Sequence, residues 1–176
     1  MSEQKYLECV LPFLNDLRQR SPAPGGGSVA ALLLCLGAGL VEKALRYSAS
    51  REQSYADELA LLSSLRERVA GHIDLDGKVF AEVMSLRGDA RKGAAERCQG
   101  IVLTTGRACT ALHALVKKSE SGIKKSIYSD FVLGDQCARL ALRACLNNLE
   151  ANEHLFGVTG EESAVFAAEL ERWEES

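Results

Sequence analysis

The sequence predicts an all-α fold, an elongated antiparallel bundle of about five to six helices built as a single domain over residues 1–176. Apolar residues recur at helical spacing along almost the whole chain, while sustained apolar–polar alternation is missing. No Asn-Gly or Asp-Gly turn joins β-branched runs, since Asp76-Gly77 falls inside a helical pattern. A length of 176 residues with 47% apolar and 26% charged side chains is that of one folded globular core.

Taken in order, the first helix is expected over residues 12–20, with Pro12 at a first helical position. Residues 21–27, with two prolines and three glycines, interrupt it. A second helix, 28–46, is apolar on nearly all sides as far as Glu42, as a helix surrounded by others must be. Gly37 and Gly39 would let neighbours approach it closely. The third spans 54–86, with Gly71 and Gly77 as weak points, the fourth 90–118, the fifth 129–155 and the sixth 161–173. Helices of ~26–33 residues reach ~40–50 Å at ~1.5 Å per residue, and short connections set such helices antiparallel. No internal repeat or change of composition marks a second domain.

The net charge of −3 gives no basic field for nucleic acid or an anionic membrane. Local groups at Arg87/Arg91/Lys92 and Lys117/Lys118/Lys124/Lys125 can still hold a small anion; the second also reads as a solvated loop. The cysteines, Cys9, Cys35, Cys98, Cys109, Cys137 and Cys145, form no CxxC pair. His72, His113 and His154 are scattered, so no metal site is expected and the thiols read as small hydrophobes. Residues 1–10 lack the basic-then-apolar layout of a signal peptide. The apolar run 29–41 is shorter than the ~20 residues that cross a bilayer. A soluble, reduced, cytoplasmic protein is expected.

Function is sought where polar residues fall on apolar stripes. Stepping 100° per residue puts Leu62, Val69, Ile73, Phe80 and Val83 on one stripe with Asp76, while Asp74 points away. On the fifth helix Gly134, Cys137, Ala141 and Cys145 share a stripe that Asn148 and Asn152 continue and Asp130 begins. Such groups need partners or a ligand when buried. In an antiparallel bundle Asp76, 22 residues above Ser54, stands ~33 Å up the third helix, level with the triple glycine. Asn148, Asn152, Arg87, Arg91 and Lys92 reach the same end. Asp130 lies ~27 Å below Asn148, beyond the reach of one small ligand within a subunit. The structural alternatives are a buried ion pair for Asp76, an i,i+4 bond between the two asparagines, and a first-turn helix-dipole role for Asp130.

Gly25-Gly26-Gly27-Ser28 opening a helix exposes backbone N–H groups that suit an anion or carbonyl, and it is not a Walker loop. The longer string, residues 21–32, SPAPGGGSVAAL, resembles the SxPxPGGGSxAAL signature of the formiminotetrahydrofolate cyclodeaminase / methenyltetrahydrofolate cyclohydrolase family. The resemblance extends over roughly residues 10–157. Phe13-Leu14-Asn15-Asp16-Leu17 is similar to the family's FLDxL segment, residues 73–80 (IDLDGKVF) to its (V/I)DxDAxAF segment, Ser129-Asp130 to its SD pair and Asn148/Asn152 to its NxxxN pair. Departures are Arg87-Gly88 for Pro-Lys, Lys43 and Ser48 for Met and Thr, no proline near Val102, no glutamate near Arg107, and one extra residue in the spacing that precedes Ser129.

The resemblance implies an all-α homodimer acting on a one-carbon tetrahydrofolate, with no metal and no cofactor beyond that substrate. Cyclohydrolase opens 5,10-methenyltetrahydrofolate with water; cyclodeaminase closes the 5-formimino compound with loss of ammonia. Asp76, Asn148 and Asn152 are the expected catalytic residues. Pro24, Gly25, Gly26, Gly27, Ser28, Arg87, Arg91, Lys92 and Asp130 are the expected substrate-binding residues. The rival readings are a non-catalytic folate-binding member and a structural helical dimer.

Overall fold

In a computed structural model, which describes residues 5–158 and 162–175, all regular structure among the described residues is helical. The elements are α1 (Tyr6–Leu17), α2 (Gly26–Ser48), α3 (Ala56–Ala70), α4 (His72–Ser85), α5 (Gly88–Ser119), α6 (Tyr128–Phe156) and α7 (Glu162–Glu175), with two short 3-10 turns between α5 and α6. The predicted first residue of the last helix, Glu161, lies outside the described residues.

α2 occupies the centre and touches α3, α4, α5 and α6. Its 23 residues, with a mean hydropathy of 1.8 over 18 of them, make it long and apolar enough to cross a membrane by length and composition. The predicted apolar run was shorter because it stopped at Val41, whereas the helix continues through Glu42, Lys43 and Arg46. The same composition serves a core helix, and Ala31, Leu34, Val41, Ala44 and Leu45 are sealed inside the bundle.

α2 meets α6 antiparallel and backbone to backbone. A Cβ placed on Gly37 would stand 2.6 Å from the Gly134 carbonyl oxygen, and one on Gly134 would stand 2.8 Å from that of Gly37. Gly39, expected to act the same way, faces open space.

The main core joins α2, α3, α5, α6 and α7 around Leu34, Leu62, Leu112, Phe131, Leu142 and Leu149. A smaller one at the triple-glycine end joins Val79, Val83, Ala94, Ala95, Cys98 and Ile101, with Phe80 and Phe156 packed on it. Along α7, Phe166 covers Gly106, and Trp173 stacks on His113 at 4.0 Å, whose Nδ1 stands 2.8 Å from Asp135 Oδ1.

Two helix expectations are corrected. The predicted third helix is two, because the chain breaks at Gly71, whose lack of a side chain weakens the helix there. Gly77, the other weak point, lies within α4, where it makes room for Ala23. The first helix starts at Tyr6, six residues early, and carries Pro12 in its interior. Proline there removes the donor to the Glu8 carbonyl, which this exposed helix can leave to water. None of the residues of α1 is buried.

Candidate active site

Where the two cores meet, a hollow of about 250 Å³ opens between α2, α4, α5 and α6. Its polar lining is Gly25, Gly26, Gly27, Asp76, Asn148 and Asn152; Phe80, Cys98, Val102 and Leu155 supply apolar wall. Helical periodicity places each. α4 turns Asp76 inward with Val79 and Val83 and leaves Asp74 exposed, as its stripe predicts. The apolar stripe of α6 ends at Cys145 and hands its face to Asn148, half buried, and Asn152, buried.

The triple glycine is a steric requirement at Gly27. A Cβ there would overlap the Asp76 carboxylate, and one on Gly26 would press on Asn148 Oδ1 at 3.2 Å. The Ser28 backbone N–H donates to the Asp76 carboxylate, so this amide of the predicted cradle is already engaged. The Gly26 and Gly27 amides, at the first helical positions, have no acceptor within the helix and stay with the hollow. Burial raises the Asp76 carboxyl above its usual value near 3.8, and the Ser28 N–H only partly offsets this. The ion pair considered for Asp76 is not what holds it: its stabilising partner is that amide.

Asn152 does not bond Asn148. Its Nδ2 donates to Gln99 Oε1 at 3.4 Å and approaches Cys98 Sγ at 3.9 Å. Gln99 Nε2 and Ser28 Oγ are buried without a hydrogen-bond partner among the described residues. Burial, joined by the charge of Asp76, pushes the Cys98 thiol up to about 11, so it is an uncharged wall. Cys98 and Gln99 went unrecognised as site residues. Gln99 did carry a signal, standing four residues after Ala95 and three before Val102 on the buried face of α5.

Two further hollows flank this one. Beyond Leu155 lies one of about 210 Å³ lined by Gly88, Arg91, Lys92, Ala95 and Phe156, with the Arg91 guanidinium 5.4 Å from the Phe156 ring centre. Beyond Pro22, behind the glycine loop, a third of about 420 Å³ takes Pro24 and Ser28 together with Asp16, Asp74 and Lys78. Arg87, exposed at the N-cap of α5, lines neither cationic nor central hollow. Asp130 sits at the far end of α6, its Oδ2 2.5 Å from Lys43 Nζ, in the first turn where an acid suits the helix dipole. Among the described residues no three His, Cys, Asp or Glu side chains converge.

This arrangement brings a carboxylate of raised pKa and two carboxamides together in a confined space, next to a cationic annex. It suits proton transfer on a bound ligand, with a place beside it for an anionic group.

In overall fold the chain is similar to the crystal structure of formiminotetrahydrofolate cyclodeaminase from Thermotoga maritima, with a TM-score of 0.75 at 17% identity, covering 99% of this chain and 89% of that one. No curated protein sequence matches. Residues 10–164 match the Formiminotransferase-cyclodeaminase family. The chain therefore belongs to the formiminotransferase-cyclodeaminase family.

Proposed function

We propose that the protein is a one-carbon tetrahydrofolate enzyme, a methenyltetrahydrofolate cyclohydrolase or a formiminotetrahydrofolate cyclodeaminase, with Asp76 moving the proton. The observation that carries this is the Asp76 carboxyl, buried and proton-prone, against Gly27 and across from Asn148 and Asn152.

In the cyclohydrolase direction water adds to the methenyl carbon and Asp76 takes its proton. The tetrahedral centre then loses its bond to N5 as Asp76 returns the proton to that nitrogen. The formyl group stays on N10 and one proton leaves to solvent. In the cyclodeaminase direction N10 adds to the formimino carbon, and Asp76 relays the N10 proton to the departing amine. Each needs one group that accepts and then donates, which a carboxyl with its pKa moved towards neutrality does best. Asn148 and Asn152 orient water or the amide edge of the pterin, and the Gly26 and Gly27 amides face a ligand carbonyl.

Arg91 and Lys92 would hold the anionic glutamate tail in the adjoining hollow. Arg91→Ala is expected to raise KM about ten-fold with kcat nearly unchanged, because a hydrogen bond to a charged group contributes about 1.5–3 kcal/mol. Initial rates against substrate concentration measure this.

The deciding experiment follows the methenyl chromophore with purified protein. Its loss from 5,10-methenyltetrahydrofolate marks cyclohydrolase, and its appearance from the 5-formimino compound marks cyclodeaminase. If tetrahydrofolates raise the melting temperature without turnover of either, the protein is a non-catalytic binder, the reading that the Arg87-Gly88 departure favours. The resemblance also implies a homodimer, and the exposed leucines on α2 and α6 support one.

A further inference from the structure

Asn152 is the buried one of the two asparagines on the wall of the central hollow, 6% exposed. Its Nδ2 is spent on α5, where it donates to Gln99 Oε1 at 3.4 Å and meets Cys98 Sγ at 3.9 Å. A carboxamide is flat, with its donor and its acceptor on separate corners. With Nδ2 against α5, Oδ1 is the end left for the hollow, and among the described residues no group donates to it.

Gln99 makes no other side-chain hydrogen bond among the described residues. It is 4% exposed, and its own Nε2 is buried without a partner there. An unpaired buried donor costs stability, so it calls for an explanation outside packing. Thr105, a buried polar residue further along α5, shows the contrast. Its hydroxyl donates to the Ile101 carbonyl and meets His72 Nδ1. Gln99 bonds Asn152, and Asn152 lines the hollow.

We propose that Gln99 is a positioning residue: it holds the Asn152 carboxamide with its oxygen towards the ligand, so that the site selects a ring edge carrying an N–H beside a carbonyl. The proposal rests on the folate reading of that hollow and adds which edge of the pterin is read, and by what. Along that edge the pterin runs from N3–H through the C4 carbonyl and a ring carbon to N5. The Gly26 and Gly27 amides donate to the C4 oxygen, and Asn152 Oδ1 accepts from N3–H. N5, on the other side of the carbonyl, then falls towards Asp76, which stands against Gly27. One orientation serves both recognition and proton transfer. A 4-amino pterin reverses both signs. Its N3 is an acceptor facing Asn152 Oδ1, and its amino group is a donor facing the glycine amides. A site with fixed polar groups rejects such a ligand, because those groups are left unpaired.

The test compares 5-formyltetrahydrofolate with its 4-amino counterpart, nearly equal in shape, by titration calorimetry at pH 8. The wild type should bind the 4-oxo compound at least ~100-fold more tightly. In Gln99→Leu only the Cys98 sulfur still meets Nδ2, the carboxamide is free to turn, and the preference should fall about ten-fold, the size of one hydrogen bond. Asn152→Asp in that background should restore it, because an ionised carboxylate presents an oxygen whichever way it turns. Lost packing is not repaired by that change. Gln99→Met, which keeps the length of the side chain, replaces Gln99→Leu if circular dichroism shows the latter unfolded. A wild type without the preference, a preference that survives the replacement of Gln99, or a loss that Asn152→Asp does not restore overturns the proposal.

A second measurement needs no ligand. The Asn152 Nδ2 protons are identified in the nitrogen–proton NMR spectrum by their absence from Asn152→Asp. They should exchange with heavy water about ten-fold faster in Gln99→Leu than in the wild type. Equal rates overturn the role of Gln99. A wild type that binds neither compound is a failure of the proposed function instead, and the exchange rates then decide whether Gln99 holds Asn152.

Discussion

Replacing Asp76 by asparagine is expected to lower turnover about 10²–10⁴-fold, the range that a positioned acid–base group supplies, while leaving a folded and more stable protein. The amide still accepts the Ser28 N–H and has nearly the same shape against Gly27, so the local packing survives. It carries no charge to desolvate. Asp76 has a folded pKa raised above its unfolded value, so its favourable contribution is complete below about 3.8 and is lost as pH rises through the folded pKa. At neutral pH the ionised group therefore opposes folding. Thermal melts of both proteins should show the variant ahead at pH 8 and the gap closing as the pH falls towards 4. The wild-type rate, where Asp76 acts first as base, should rise with pH through that same raised value. Unchanged turnover in the variant would remove Asp76 from the mechanism.

The largest loss of stability is expected from Gly37→Val. The new Cβ would stand 2.6 Å from the Gly134 carbonyl oxygen and 3.0 Å from the Cys137 Cβ, and backbone on both sides prevents a local adjustment. α2 and α6 would have to separate along their whole contact, the most extensive in the molecule. Overpacking of this kind costs about 3 kcal/mol. Urea unfolding measures it, with Gly39→Ala as control: nothing lies within 4 Å of a Cβ there, and helix propensity alone should make that change worth up to about 1 kcal/mol of added stability.

The contrast between those two glycines shows what the amino-acid pattern makes legible. Helical spacing located the bundle, and it separated Asp76 from Asp74 because burial of one face of α4 follows from a 100° step. Counting the rise per residue brought Asp76, Asn148 and Asn152 to the glycine loop. Such counting says nothing of which of two glycines faces a neighbour, since that depends on the crossing of α2 with α6. Nor does it reveal that Arg87 turns to solvent where Arg91, four residues on, is half buried. Propensity marks Gly71 and Gly77 alike as weak points, yet the chain breaks only at Gly71, because Gly77 is held within α4 with Ala23 packed against it. The early start of α1 is hidden because Pro12 reads as a helix start, whereas exposure to water lets an interior proline stand. Asn152 reaching Gln99 depends on the lateral placement of α5 against α6, which no single helix encodes.

Cys98 has a practical consequence. Its sulfur is 2% exposed as part of the residue and sits beside the groups proposed for chemistry. With its pKa near 11, almost none of it is nucleophilic at neutral pH while the helices stay closed. An alkylating reagent should therefore modify exposed Cys9 at once and Cys98 only when α5 lifts from α4 and α6. With Cys109 and Cys145, the other buried thiols, replaced by alanine, the slow labelling phase becomes a clock for that opening, and its further slowing by a folate would register occupancy even in a protein that turns nothing over.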